Sequence, residues 1–328
     1  MDISCAFATS LETPDHVALA EQLGYKRAWC YDSPGLYPDV WMILGLAAHR
    51  TSTIELGPGV LVPSMRHPMT NAAAIAGLEA YAPGRTVVAV GTGFTGRMVF
   101  GQRSMKWAEV ADYVRVLRAL LRGDDAQWEG KTIRMLHDEQ SAPVRPIDVP
   151  ILIAGEGAKG LAIAAELGDG VFGKPTAPVP ESLTWRAMLA NGTVLDEGES
   201  ADSARAVDAY GGGLMVNYHY AYEHGGEAVD QLPGGAEWRR AAEQVPQPER
   251  HLAIHDGHMM RTNALDESVI SKSEYRTPKL TMTGTPDEVR KRVGRLAERG
   301  VTELAYQPSG SDVRRELTAF AAAMGISG

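Results

Sequence analysis

One unit recurs along the chain: an amphipathic stretch rich in Ala and Leu, a glycine, then a short apolar run. TPDHVALAEQLG leads into YKRAWCYD, AKGLAIAAELG into DGVFGKP, and TPDEVRKRVGRLAERG into VTELAYQP. The long stretches begin as helices begin. Thr13 and Thr285 are placed to cap, with Pro14 and Pro286 at the first helical position, where a missing N–H loses nothing. Glu288, three residues after Thr285, completes a capping box. Gly24, Gly168 and Gly300 stand where a left-handed residue ends a helix.

The apolar runs lack clean alternation. Strands covered on both faces read this way, and parallel strands are covered on both faces. Eight runs are predicted as strands: 2–8, 26–32, 53–60, 86–91, 149–154, 170–173, 192–195 and 302–307. Helices fit between them. The clearest spans 105–121, with Trp107, Val110, Ala111, Val114, Leu117, Leu120 and Leu121 on one face. Eight strands alternating with helices point to a closed TIM (β/α)8 barrel, and the lack of G-x-G-x-x-G after the first strand weighs against a doubly wound sheet. The expected organisation is one α/β barrel domain over 1–328 with two insertions. Residues 123–148 hold a hairpin, WEGKTIRML, and a Pro-rich exit. Residues 196–283 are glycine-dotted and rich in His, Tyr and Met, and extra length at the C-terminal strand ends of a barrel builds its mouth.

Composition narrows the function classes. A chain of 328 residues, 44% hydrophobic, can bury a large core. A net charge of −9 without a basic block speaks against nucleic acid as a partner. The two cysteines, Cys5 and Cys30, lie in apolar runs and fit a reducing compartment. The N-terminus has no basic n-region and no long apolar h-region, so neither a signal peptide nor a membrane span is expected. These features together suggest a cytoplasmic location.

Candidate chemistry collects at the predicted C-terminal strand ends. In LGPGVLVPSMRHP, residues 56–68, two glycines and a proline interrupt an apolar strand just before Arg66 and His67. The interruption reads either as a bulge or as a shelf where the backbone approaches a flat ligand. The next strand end, VVAVGTGFTGR, exposes backbone N–H groups that can hold an anion or a ring carbonyl. In ILIAGEGAKG the glycines lead into a helix N-terminus, a natural phosphate site with Lys159 to assist. Three such loops at strand ends favour a large phosphorylated cofactor.

The histidines of VNYHYAYEH and AIHDGHMM allow packing, capping or a pocket. In the pocket reading Tyr218, His219, Tyr222, His255 and His258 line the substrate site, and one histidine serves as general acid. His255 and His258 form an H-x-x-H pair, but no cysteine or carboxylate stands at a zinc spacing from them, so no metal is expected. There is no G-x-S-x-G to support a serine nucleophile.

The order RHP, APGR, VGTGF, PILIAGEG–AKG, ELGDGVF, TGTPDEV resembles the bacterial luciferase-like superfamily. That superfamily includes flavin-dependent monooxygenases and oxidoreductases using the deazaflavin coenzyme F420, such as methylenetetrahydromethanopterin reductase-type proteins. The resemblance runs over nearly the whole chain and is loosest at 196–283. It implies a TIM barrel with an isoalloxazine-type ring at the C-terminal mouth. By position it implies cofactor contacts from Asp32, from Gly59, Val60 and Leu61, and from Gly91, Thr92 and Gly93. It implies a phosphate-side loop of Ala154, Gly155, Glu156 and Gly157 with Lys159 and Lys174, and a non-prolyl cis peptide at Gly59–Val60. Two positions depart from the deazaflavin pattern: Ser33 follows Asp32 where a histidine is usual, and Phe94, here a pocket residue, stands where many relatives carry an acid.

The expectation is therefore an oxidoreductase moving hydride between F420 and a small organic substrate, with Asp32, His219 and His258 as catalytic candidates. An FMN-dependent two-component monooxygenase served by a separate reductase is the alternative. A non-catalytic flavin-binding protein is the alternative of another class. The resemblance also implies a homodimer.

Overall fold

The computed structural model describes residues 1–328. Eight parallel strands close a barrel: β1 Asp2–Phe7, β2 Arg27–Cys30, β3 Glu55–Leu61, β4 Val88–Val90, then β7 Ile151–Ile153, β8 Gly170–Phe172, β9 Trp185–Asn191 and β10 Glu303–Gln307, which pairs back onto β1. The expected barrel is the observed one. Strands β5 Ala126–Trp128 and β6 Lys131–Ile133 form the hairpin expected in the first insertion. Its turn places Glu129 and Gly130 at φ 49° and 73°, the two positive values a two-residue hairpin turn needs.

Helices α1 Thr13–Gln22, α2 Val40–Arg50, α3 Pro68–Tyr81, the short α4 Phe94–Met98, α5 Trp107–Arg122, α6 Ala158–Leu167, α11 Pro286–Glu298 and α12 Val313–Met324 follow the barrel strands. α5 buries the apolar face its periodicity predicts, from Val110 to Leu121. α11 starts at the expected capping box, where Thr285 and Glu288 bond reciprocally. Gly24 and Gly300 take φ 86° and 87°, as helix-ending glycines should.

Three local expectations give way. Thr13 is the first residue of α1 and caps nothing; its hydroxyl accepts from the Ser10 N–H at 2.8 Å, inside the preceding turn. Gly168 is extended, at φ −101°. The seventh barrel strand is β9, and not residues 192–195. WRAMLAN carries Ala, Met and Leu, good helix formers, and becomes a strand because β8 and β10 pair with it on either side.

The barrel is sealed at its N-terminal end. The buried Glu303 carboxylate accepts from the indole N–H groups of Trp29 at 2.8 Å and Trp185 at 2.6 Å, and from Arg27 at 3.1 Å. Above this plug a small interior cluster including Ala6, Val87, Leu152, Phe172 and Ala305 fills the barrel, and Tyr31, Val60, Ala154 and Leu189 cover it at the C-terminal end.

The long insertion is helical: α7 Ala204–Gly225, α8 Gly235–Gln244, α9 Arg250–His255 and α10 Glu267–Ile270. It packs around its own core of Tyr210, Leu214, Tyr218, Trp238, Ile254 and Val269. α7 contains three consecutive glycines, each costing about 1 kcal/mol of helix propensity against alanine. Two of them permit close approach. A Cβ on Gly213 would lie 2.5 Å from the Asn191 side chain, and one on Gly212 would lie 2.9–3.1 Å from the backbone of Met259 and Arg261. The glycines thus seat α7 against the barrel end and against the turn that follows α9. No helix is long and apolar enough to cross a membrane.

Candidate functional site at the C-terminal mouth

Three neighbouring strands end in a continuous apolar ledge. The Gly91 N–H donates to the Leu61 carbonyl at 3.0 Å, and the Ala154 N–H donates to the Val90 carbonyl at 2.8 Å. A Cβ on Gly91 would lie 2.8 Å from Val60 Cγ2 and 3.1 Å from Ala154 Cβ. Glycine there leaves a shallow floor between two partly exposed side chains, Val60 and Ala154. The peptide between Gly59 and Val60 is cis, and the register of β3 shifts between Gly59 and Leu61.

Not every glycine of the interrupted strand serves the mouth. A Cβ on Gly57 would sit 1.7 Å from the Val87 carbonyl oxygen, and one on Gly59 would touch the Trp29 ring at 3.0 Å. Both answer to packing inside the barrel wall. Beyond Gly91, Thr92 is partly exposed, and Gly93, at φ 79°, turns the chain into α4.

The loop after β7 turns directly into α6. Gly155 packs so closely on Gly160 that a Cβ would meet its carbonyl carbon at 2.5 Å. Gly157 is the N-cap of α6 and supplies no side-chain bond, so the first N–H groups of the helix keep their donor capacity. Lys159 and Lys174 are both exposed beside them. Glu156 fastens the two loops together: its carboxylate accepts from the Lys174 N–H at 3.0 Å and its carbonyl from the Thr176 N–H at 2.8 Å.

Asp32, at the end of β2, is 2% exposed. Arg66 Nη1 donates to both of its oxygens at 2.6 Å, and Arg66 Nη2 donates to Asp39 at 2.6 Å. Burial pushes the Asp32 carboxyl above its ordinary value, with the Arg66 guanidinium opposing the shift. The basic residue of the interrupted strand is therefore an ion-pair clamp between β2 and the loop before α2.

The insertion contributes a buried histidine cluster. His219, on α7, places Nδ1 3.1 Å from His258 Nδ1, and His255, at the end of α9, places its own Nδ1 3.3 Å from the same atom. His219 Nε2 lies 3.1 Å from Asp266 Oδ1, which also accepts from the Trp238 indole at 3.0 Å. His258 Nε2 lies 3.0 Å from the Thr95 hydroxyl on α4. Burial pushes the His258 imidazole well below its ordinary value and lowers His255 as well, which favours the uncharged ring at both. The turn carrying His258 is latched to the mouth: Tyr37 donates to the His258 carbonyl, and Gln307 and Ser309 donate to the Met259 carbonyl at 3.3 and 2.9 Å.

Of the expected pocket residues, Phe94 faces the insertion and is partly exposed. Tyr218 and His255 are fully buried, and the Tyr218 hydroxyl donates to the Pro233 carbonyl, away from the mouth. Tyr222 packs on Trp238 and accepts from Arg250 at 3.0 Å. The aromatic surface beside Phe94 is instead made by Tyr220 and His224, with ring centroids 5.2 and 5.5 Å from it and 4.1 Å from each other. Tyr220 and Thr95 are not singled out by the sequence; each is only the chain neighbour of a candidate, His219 and Phe94, and adjacent helical residues do not share a face. A cavity of about 270 Å³ opens beside the mouth, between the ends of β1 and β10, and is lined by His16, Met260 and Arg314 but by none of the ledge residues.

The closed (β/α)8 barrel thus carries an apolar ledge and an uncapped helix N-terminus at its C-terminal mouth, the face on which barrel enzymes place their active sites. The luciferase-like monooxygenase family matches residues 9–303, and the chain belongs to it. It is an oxidoreductase. The 5,10-methylenetetrahydromethanopterin reductase of Archaeoglobus fulgidus is 26% identical over 320 residues, spanning 92% of this chain and 91% of that one. The F420-dependent glucose-6-phosphate dehydrogenase of Kineococcus radiotolerans is 25% identical over 338 residues, spanning 94% and 90%. The solved structure of the coenzyme F420 dependent tetrahydromethanopterin reductase of Methanopyrus kandleri superposes with a TM-score of 0.63 at 19% identity, over 98% of each chain.

Proposed function

We propose that this chain transfers hydride between coenzyme F420 and a small organic substrate. The observation that carries the reading is the ledge of Val60, Gly91 and Ala154, continuous with the free N-terminus of α6. A side chain at Gly91 would crowd Val60 and Ala154 and raise the floor between them. When bound, the deazaflavin supplies or accepts the hydride. The chain's residues do the rest. Val60 and Ala154 give the ring an apolar face and exclude water. The N–H groups of Ala158 and Lys159, with the Lys159 and Lys174 ammonium groups, hold phosphate. The relative named as an F420-dependent glucose-6-phosphate dehydrogenase, matched over 90% of its length, supports the choice of cofactor.

Asp32, His219 and His258 enter this reading as positioning residues. Asp32 is taken up by Arg66, and His258 meets the mouth through the Thr95 hydroxyl and the Phe94 ring, with His219 behind it. Substrate is expected over the ledge, against Phe94, Tyr220 and His224. The exposed apolar side chains of α2, Met42 and Leu46, suit a homodimer contact.

The reading is tested by anaerobic assay of the purified chain with reduced F420 against conjugated alkenes, imines and nitroaromatics, and with oxidised F420 against alcohols and amines. Substrate-dependent change in the deazaflavin absorbance supports it. Turnover only with reduced FMN and oxygen points to the monooxygenase reading, and binding without turnover on any panel member to a flavin-binding protein.

A further inference from the structure

Three buried histidine nitrogens converge where hydrogen bonding cannot satisfy them all. His258 Nδ1 stands 3.1 Å from His219 Nδ1 and 3.3 Å from His255 Nδ1. Each ring offers a ligand atom within 4.8 Å of the other two. Asp266 accepts from the Trp238 indole and from the Asn263 N–H, and it takes the His219 Nε2–H as a further donor, so His219 Nδ1 faces the cluster as a lone pair. Glu223 Oε1 is the nearest carboxylate oxygen to His255 Nε2, at 3.5 Å, and leaves that buried nitrogen without a hydrogen bond. His258 Nδ1 offers either one proton or one lone pair, so it cannot bond well to both neighbours.

We propose that His219, His255 and His258 bind one divalent transition-metal ion through their Nδ1 atoms, with zinc as the best fit. Zinc–nitrogen bonds of about 2.0–2.1 Å in tetrahedral geometry put neighbouring nitrogens roughly 3.3 Å apart. The two measured separations lie at or just under that edge. Imidazole suits zinc, and also cobalt, nickel and copper. Two of the rings have an outer partner on the far nitrogen, Asp266 on His219 and Thr95 on His258, while Glu223 stands 3.5 Å from the third, His255. Histidine ligands are characteristically oriented in this way. No side chain supplies a fourth ligand, which leaves that vertex to water or a small anion. The ion would join α7 to the turn after α9 and, through Thr95, to α4 at the mouth. It would order the substrate-side insertion over the barrel.

The test uses the full-length chain without a polyhistidine tag, treated with a chelator and dialysed. Calorimetric titration with zinc chloride should show one saturable site, and zinc should raise the melting temperature reversibly. Cobalt(II) should give the intense visible absorption of a tetrahedral site. His258→Gln and His255→Gln should each abolish saturable uptake. Asp266→Asn should weaken it about 10–100-fold. His49→Ala, on the exposed end of α2, should leave it unchanged. If the wild-type chain takes up no metal saturably, or if a folded His258→Gln or His255→Gln chain binds as the wild type does, the proposal is overturned and the cluster is a packed array of imidazoles. Neither result depends on which cofactor the ledge holds.

Discussion

Arg66 and Asp32 meet in a buried, two-bond ion pair, Nη1 donating to both carboxylate oxygens at 2.6 Å. Arg66→Met removes the only cation in contact with a carboxylate that is 2% exposed. Breaking a buried pair from one side costs about 3–5 kcal/mol, because the remaining charge is left without a partner. Adding Asp32→Asn should recover most of that loss. A denaturation-based double-mutant cycle reads the coupling; additive single effects would show that the pair contributes no interaction of its own.

Gly91 and Gly57 separate binding from folding. Gly91→Ala puts a methyl group into the floor of the ledge, against the ends of two side chains. Cofactor affinity should fall at least about tenfold with little change in melting temperature, since roughly 1.4 kcal/mol of overpacking suffices for that. Gly57→Ala drives a Cβ into the Val87 carbonyl and should prevent folding. Equal effects of the two substitutions on stability, read by thermal melts, would contradict this division.

At the opposite end of the barrel, Glu303→Ala strands two buried indole N–H groups and loosens Arg27. A loss of about 3 kcal/mol or more is expected from the unsatisfied donors. Cofactor affinity should not change, because Glu303 begins β10, at the end of the barrel opposite the strand ends that carry the ledge. A melt paired with a binding titration checks both halves.

Stability should carry an acid limb from Glu199. Its bonds to Arg205, and then to Ser203 and the Asp196 N–H, hold the carboxyl down at about 2 against an ordinary 4.5. A depressed carboxyl binds its proton more readily in the unfolded chain. Its stabilisation is therefore complete above pH 4.5 and is lost as pH falls toward 2. Glu199→Gln should lower stability at neutral pH and flatten that limb. Urea melts across the range would show it; parallel pH profiles for the two chains would contradict it.

The barrel was legible because most of its strands are short apolar runs placed just after a helix and a glycine, a local pattern. β9 was not, since Trp185–Asn191 owes its conformation to neighbours brought from elsewhere in the chain. The ledge was legible in part. Gly91 does open the floor, whereas Gly57 and Gly59 read alike in sequence and serve the wall. Arg66 gave no sign of its partner, because Asp32 lies 34 positions earlier on another strand. The histidines hid their arrangement for the same reason. His219 and His258 are 39 positions apart, and the glycine triplet of α7 that lets their segments close on each other looks in sequence like a flexible stretch.

The most direct measurement is a side-by-side fluorescence titration of the purified chain with F420 and with FMN, repeated on the Lys159→Glu, Lys174→Glu double variant. Tight F420 binding, weak FMN binding and a marked loss of F420 affinity in the variant are the expected results. Preference for FMN, or F420 affinity untouched by reversing both charges beside α6, would contradict the proposed cofactor and its seat.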